Sequence, residues 1–161
     1  IPEQARVFRL IPGLAQAEFL RFGSIHRNSY VNAPAALTPH LSLRDAPTTL
    51  FAGQITGVEG YTESSATGLL AGINLSRMLH GEAPVLPPPS TMMGALYRYL
   101  READPRHFQP MNANFGLLDE LDGVPPKVLK DKARKRELFA ERGLAQVSAW
   151  RDAHALAAAL T

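Results

Sequence analysis

Residues 50–74 read LFAGQITGVEGYTESSATGLLAGIN and combine three local patterns in one stretch. The β-rich run at 49–52 predicts a short strand, and the residues after it form a loop that contains three glycines. Apolar residues then recur at helical spacing, so a helix is predicted over about 61–80, with Gly81 suited to the position just beyond its end. The first N–H groups of such a helix lack partners, and a phosphate or an electron-rich ring can bind there.

The three loop glycines, Gly53, Gly57 and Gly60, allow the backbone to approach a ligand that a Cβ atom would push away. Spacing alone nevertheless favours an ordinary turn between a strand and a helix over a ligand-binding loop. No GxGxxG motif follows a predicted strand, which excludes a complete dinucleotide-binding Rossmann site within this sequence.

Three features of the predicted helix over 61–80 bear on its packing. Thr62 is a suitable N-cap, because its hydroxyl can accept a hydrogen bond from a free N–H group. Gly68 and Gly72 each cost about 1 kcal/mol of helix stability relative to Ala, which predicts that something packs very close to their face. The core-facing stripe of the helix is predicted to consist of Ala66, Leu69, Leu70 and Ile73.

The whole sequence predicts an α/β fold that divides at a proline-rich connector. This connector, 84–89, contains four prolines and separates a predicted first domain, 1–83, from a second, 84–161. The first domain is expected to hold a few strands, and the second is expected to be mainly helical. Strands are predicted at 17–25, 40–43 and 48–52, and further helices at 3–10, 90–103, 126–144 and 147–160.

The composition excludes several classes of protein. The 161 residues include no cysteine, which rules out disulfides, a zinc ribbon and a cysteine nucleophile carried by this chain. No apolar run approaches the roughly 20 residues of a membrane-spanning helix, so no membrane partner is expected. No HExxH, Walker or Ser-His-Asp arrangement is present, and no metal site is predicted.

The net charge of +2 is unevenly distributed along the chain. Residues 1–126 carry nine Arg against eleven acidic residues, whereas 127–161 carry eight basic residues against four acidic ones. The basic run could track the phosphates of a nucleic acid, but a solvated helix with pairs such as Asp131–Lys135 is the interpretation that so short a run favours. The candidate residues are Lys127, Lys130, Lys132, Arg134, Lys135 and Arg136.

Two groups of polar side chains are further candidates for binding a ligand. His26, Arg27 and Asn28 follow a predicted strand and could present donors or a flat ring to a planar ligand, or could equally be satisfied within a loop. Asn112 and Asn114 could bind a polar ligand, although Asn is common in loops for backbone reasons and that interpretation is favoured.

Several longer motifs together resemble one enzyme family. They are FRLIPGL at 8–14, HRNSYVNAP at 26–34, the stretch at 50–74 and FQPMNANFGLL at 108–118. In combination they look like the folate- and FAD-dependent tRNA uracil-5-methyltransferases, which are related to the glucose-inhibited division protein A family. The wobble-uridine modifying relatives share the glycine loop in a looser form, and the motif at 108–118 favours the methyltransferases.

The resemblance implies an activity and its cofactors. The family methylates C5 of a T-loop uridine in tRNA, with methylenetetrahydrofolate as the carbon donor and reduced FAD as the carrier of reducing equivalents. NAD(P)H would reduce the flavin of the full enzyme, and the setting would be the cytoplasm. The fold implied is the C-terminal part of an FAD-binding Rossmann-like domain, followed by a mainly helical, RNA-facing extension.

The resemblance also assigns roles to residues. His26, Arg27 and Asn28 would face the flavin–folate cavity, and the six basic residues named above would face tRNA. The flavin would lie against a continuous loop made of Gly53, Gln54, Ile55, Thr56, Gly57, Val58, Glu59, Gly60 and Tyr61.

Two departures from the family pattern limit what the chain can do alone. The family begins with a GxGxxG dinucleotide fold and uses a cysteine in catalysis, and this sequence has neither. We therefore expect the chain to be a C-terminal portion with no catalytic residue of its own, dependent on the N-terminal portion of the same enzyme. The alternatives are a stand-alone RNA-binding module that has lost the flavin chemistry, or a fragment of the wobble-uridine enzyme.

Overall fold

The computed structural model describes residues 2–20, 22–23 and 29–156. About half of this part of the chain is helical, and two short 3-10 turns, Gly53–Thr56 and Phe115–Leu117, accompany its α-helices. The helices are α1 (Pro2–Phe8), α2 (Ala33–Ala36), α3 (Tyr61–Leu79), α4 (Met92–Glu102), α5 (Pro126–Leu129) and α6 (Lys132–Ala153).

The strands expected of an α/β fold are not formed within the described residues. The predicted strands at 40–43 and 48–52 are reduced to isolated antiparallel bridges, Leu37 to Leu43 and Ser42 to Leu50, and the described part of 17–25 is irregular. A strand is stable only beside a neighbouring strand, and these segments find no extended neighbour here. The prediction of strands is therefore wrong for the described residues of these segments.

The limits of α3 agree with the prediction, but its N-cap residue does not. It ends at Leu79, and Gly81 follows with a φ of +74°, in the left-handed conformation expected beyond a helix end. Its N-cap is Gly60 and not Thr62, which lies inside the first turn, and no side chain caps this end. The first N–H groups of α3 are therefore left without a side-chain partner from the cap.

The buried face of α3 differs from the predicted stripe. Leu70 is buried together with Thr67 and Asn74, whereas the side chain of Leu69 is 67% exposed. A Cβ atom added at Gly68 or Gly72 would meet nothing within 4 Å. The prediction of close packing on the glycine face is therefore wrong for the described residues.

A buried asparagine fixes the proline-rich connector to α3. The Asn74 side-chain oxygen accepts a hydrogen bond from the Val85 N–H at 2.7 Å, and its amide nitrogen donates to the Val85 carbonyl at 3.0 Å. Asn74 and Val85 are both buried, so neither backbone group can bond to water instead. These two hydrogen bonds between Asn74 and Val85 attach the extended connector to α3.

The connector also contacts the start of α4. The Thr91 hydroxyl accepts from the Gly94 N–H at 3.0 Å and donates to the Pro88 carbonyl at 2.7 Å, so Thr91 is the N-cap of α4. At Gly94 the helix backbone lies so close to Pro88 that an added Cβ would be 1.8 Å from the Pro88 carbonyl oxygen. From α4, Leu96 and Leu100 enter the core, which also contains Val58, Leu70, Val85 and Phe108.

The basic segment forms one long helix after a single turn. Helices were predicted at 126–144 and 147–160, but α6 begins at Lys132 and continues without a break to Ala153. Asp131 caps it, because its carboxylate accepts from the N–H groups of Ala133 and Arg134. Among the helices of the described residues, none combines the length and apolar character that crossing a membrane requires.

Candidate functional site

The glycine loop, residues 53–61, is held in place by hydrogen bonds within the loop and to α3. The Gly53 N–H donates to the Thr67 hydroxyl at 2.8 Å, and the Thr67 hydroxyl donates to the Ser64 carbonyl at 2.9 Å. The Thr56 hydroxyl donates back to the Gly53 carbonyl at 2.8 Å. Because Thr56 and Thr67 are fully buried, these bonds are shielded from water and keep one loop conformation.

Two of the glycines are required by the backbone. Gly57 has a φ of +91°, and a Cβ there would lie 2.5 Å from a ring carbon of buried Phe108. Gly60 has a φ of +108° and stands immediately before α3. Both conformations are rare for residues other than glycine, so the spacing of these glycines encodes a particular loop shape.

A second loop, the amide loop Met111–Asn114, is joined to the glycine loop by a parallel bridge between Val58 and Met111. The Met111 N–H donates to the Gly57 carbonyl and the Glu59 N–H donates to the Met111 carbonyl, both at 2.9 Å. The Ala113 N–H donates to a Glu63 carboxylate oxygen at 3.1 Å. The amide loop therefore lies beside the first turn of α3, which the sequence pattern did not reveal.

The nine residues predicted to bind a flavin divide into an inner and an outer group. Thr56, Gly57 and Val58 are buried and support the loop from behind. The outer group faces solvent at the N-terminal end of α3 and consists of Gln54, Ile55, Gly60 and Tyr61, with Gly53 and Glu59 partly covered. Of the exposed residues, Gly60 and Tyr61 adjoin the first N–H groups of α3, where an electron-rich group is stabilised.

The predicted folate-facing residues His26, Arg27 and Asn28 lie outside the described residues. Of the two asparagines in the amide loop, Asn114 is used locally, because its side-chain oxygen accepts from the Gly116 N–H at 2.9 Å and its nitrogen donates to the Asn112 carbonyl. Asn112 is exposed. No cluster of three acidic or histidine side chains suited to a metal occurs in the part of the chain that the structure describes.

The six predicted RNA-facing residues lie on α5, on α6 and, in the case of Lys130, between the two helices, and they differ in their ion pairs. Arg134 is paired with Glu137 at 2.9 Å and with Glu141 at 3.1 Å. The expected Asp131–Lys135 pair is replaced by the capping role of Asp131. Within the described ranges no ion pair involves the remaining five residues, which are Lys127, Lys130, Lys132, Lys135 and Arg136.

An apolar groove between α3 and α6 was not predicted. It has a volume of about 640 Å³ and lies along the α3 stripe that was expected to face the core. Across it stand Phe139, Leu144 and Trp150 of α6, and the indole N–H of Trp150 has no hydrogen-bond partner among the described residues. The apolar residues that line the groove are visible in the sequence of both helices. The sequence does not indicate, however, that these two helices lie opposite one another.

An ion pair fastens the residues after the amide loop to α4. Arg98 donates to the Asp119 carboxylate at 2.7 Å and to the Leu117 carbonyl at 2.6 Å. The hydrogen bond from Arg98 holds the pKa of the Asp119 carboxyl below 3.8, its ordinary value. This pair keeps the segment after Phe115 close to the helix core.

The lowered pKa of Asp119 predicts how stability depends on pH. A depressed carboxyl pKa contributes stability that is present above the ordinary value and is lost as the pH falls through the folded-state value. We expect the thermal midpoint to fall less steeply below pH 3.8 in Asp119→Asn than in the parent chain. Asp122→Asn is the control, and equal steepness in parent and Asp119→Asn would contradict the prediction.

Comparison with known proteins agrees with the family resemblance. The family model described as Glucose inhibited division protein A matches residues 1–83. Three similar relatives carry the name methylenetetrahydrofolate–tRNA-(uracil-5-)-methyltransferase TrmFO. The relative from Geobacter sulfurreducens is 55% identical over 149 residues, covering 92% of this chain and 33% of that protein.

The other two relatives give the same result. Those from Persephonella marina and Brevibacillus brevis are 54% and 53% identical over 143 residues, covering 89% of this chain and 32% of each relative. The chain thus spans about a third of the length of the curated relatives it matches. Because the family model matches residues 1–83 and the relatives are more than half identical, the chain belongs to the glucose-inhibited division protein A family.

Proposed function

We propose that this chain is part of a folate- and FAD-dependent tRNA (uracil-5-)-methyltransferase, in which it supplies one wall of the flavin site and a surface for tRNA. The observation that carries the proposal is the glycine loop, whose buried hydrogen bonds fix an exposed edge against the uncapped end of α3. The names of the relatives support the uracil-5-methyltransferase over the wobble-uridine alternative.

The residues of the loop fit a flavin. A flavin presents an electron-rich ring edge and phosphates, and the free N–H groups that follow Gly60 are donors suited to either. The positive φ values of Gly53 and Gly60 shape the loop, and the exposed outer group offers Gln54 and Tyr61 as polar neighbours. When bound, the flavin would carry the reducing equivalents that convert the folate-derived carbon into a methyl group.

The chain's own contribution is binding and orientation. It has no cysteine, so the nucleophile of the proposed reaction would come from the remaining two-thirds of the enzyme. His26, Arg27 and Asn28 are proposed to face methylenetetrahydrofolate, and the basic surface on α5 and α6 is proposed to face tRNA phosphates. NAD(P)H as reductant and a cytoplasmic setting complete the proposal.

The proposed division of labour follows the proline-rich connector. Residues 1–83 would belong to the FAD-binding, Rossmann-like part of the enzyme, and 84–161 would form its helical, RNA-facing extension. The bridge from Val58 to Met111 supports a shared site, because the second segment then completes a loop of the first.

The test combines this chain with the remaining two-thirds of the enzyme, taken from the Geobacter sulfurreducens relative, in the presence of FAD, methylenetetrahydrofolate and NAD(P)H. The expected result is a shifted flavin absorbance spectrum and methylation of an unmodified tRNA transcript. Gly60→Ala should lose at least tenfold in flavin affinity. A φ of +108° strains any residue with a Cβ, and the added Cβ would push the Glu63 carboxylate away from its hydrogen bond to the Ala113 N–H.

Gly81→Ala is the matched control, because Gly81 also has a positive φ but faces open space far along the chain from the loop. An unshifted flavin spectrum in the combined protein would contradict the flavin role. Binding of tRNA without any effect of FAD would favour the stand-alone RNA-binding module instead.

A further inference from the structure

Phe115 holds an aromatic ring at the protein surface, directly after the amide loop. It begins the 3-10 turn Phe115–Leu117, and its side chain is 43% exposed. The Asn114 side chain caps this turn by accepting from the Gly116 N–H, so the ring projects from an ordered backbone. The ring also lines the apolar groove between α3 and α6, and its exposed part is available to a partner.

The ring lies against the basic helix. Its centroid is 5.7 Å from the centroid of Phe139, and the Arg136 guanidinium carbon is 5.7 Å from the Phe115 centroid. The Phe139 ring is in turn approached by the Lys135 ammonium at 5.7 Å and by the Arg142 guanidinium at 5.1 Å. Two adjacent aromatic rings are therefore surrounded by three cations.

The three cations differ in the hydrogen bonds and ion pairs that they form within the protein. Arg142 donates to the Asp119 and Glu120 carbonyls, which holds it in place. In the part of the chain that the structure describes, Lys135 and Arg136 form no ion pair with a carboxylate. Their charge is therefore available to an anionic partner that also contacts Phe115.

An unpaired nucleotide matches this surface. Single-stranded nucleic acid binds where bases stack on aromatic rings while nearby cations contact the phosphates on either side. A purely apolar partner would not use Lys135 and Arg136, and a free anion would not use the Phe115 ring. The combination favours RNA, which offers a base and a phosphate in each nucleotide.

We propose that Phe115 is a stacking platform for an unpaired base of the RNA substrate, with Lys135 and Arg136 contacting the neighbouring phosphates. The inference rests on the proposed function, which supplies tRNA as the partner, and adds the residue that binds a base. Phe115 directly follows the amide loop, which is hydrogen-bonded to the glycine loop through Met111. The base would therefore be held next to the segment that completes the proposed flavin site.

The test is equilibrium binding of the full chain to a fluorescently labelled T-arm stem–loop transcript at several salt concentrations. Phe115→Leu should weaken binding about tenfold and leave the slope of log affinity against log salt unchanged, because stacking releases no counterions. Arg136→Gln should lower the slope by about one. Phe115→Trp should bind as well as the parent, and Leu79→Ala, an exposed apolar residue on α3, should have no effect.

A series of transcripts with single abasic nucleotides locates the stacked base. At one position the abasic change and Phe115→Leu should be non-additive, because both remove the same contact. Parent-like binding by Phe115→Leu, with the Arg136→Gln effect retained, would overturn the stacking role and leave the proposed function intact. Absence of RNA binding by the parent chain would instead overturn the proposed tRNA surface, and the stacking role with it.

Discussion

Asn74→Leu is expected to lower the free energy of unfolding by about 4 kcal/mol. Asn74 satisfies both the N–H and the carbonyl of Val85, at 2.7 and 3.0 Å. Leucine fills a similar volume but offers neither a donor nor an acceptor, so two buried backbone groups lose their partners together. Urea unfolding followed by far-UV circular dichroism measures the change.

The matched control is Asn112→Leu, the same chemical change at an exposed asparagine in the amide loop. It should alter the free energy of unfolding by less than about 0.5 kcal/mol, as is usual at the surface. A loss at Asn74 no larger than the loss at Asn112 would show that the connector does not depend on this pair of hydrogen bonds.

Gly94→Ala should destabilise the protein by about 3 kcal/mol or more, although alanine is the better helix former. The added methyl group would lie 1.8 Å from the Pro88 carbonyl oxygen and 2.4 Å from its carbon. Both atoms are backbone, held by the Thr91 cap, so α4 and the connector would have to separate. The thermal midpoint and the urea midpoint of the variant should both fall.

Gly68→Ala, the same substitution at another helical glycine, should stabilise the protein and not destabilise it. This glycine lies inside α3 with nothing within 4 Å of the added carbon, so the change should stabilise the described chain by up to about 1 kcal/mol. If Gly94→Ala also stabilised the protein, helix propensity and not contact with Pro88 would determine the outcome.

The sequence predicted those parts of the fold whose determinants are local. Helix α3 ends where Gly81 indicates, since a left-handed residue beyond a helix is encoded in one position. The strands at 40–43 and 48–52 failed for the opposite reason. A strand requires a partner elsewhere in the chain or in another part of the enzyme, and local β-propensity cannot supply one.

The candidate site shows the same limit. The glycine loop could be identified from its residues, and the positive φ values of Gly57 and Gly60 give the physical reason for their spacing. Its neighbour could not be identified, because the contact from Glu63 to Ala113 joins residues 50 positions apart. Phe115 was visible in the sequence only as part of a motif, and its exposure beside Arg136 depends on how α6 packs.

That long-range contact has a consequence for how the protein is made. During synthesis, residues 53–61 leave the ribosome well before the amide loop does, and domains acquire their contacts in that order. Until residue 113 has emerged, Gly57, Glu59 and Glu63 lack the backbone partners they have in the finished structure. The contacts between the glycine loop and the amide loop therefore form late, whereas the hydrogen bonds within the glycine loop and to Thr67 can form earlier.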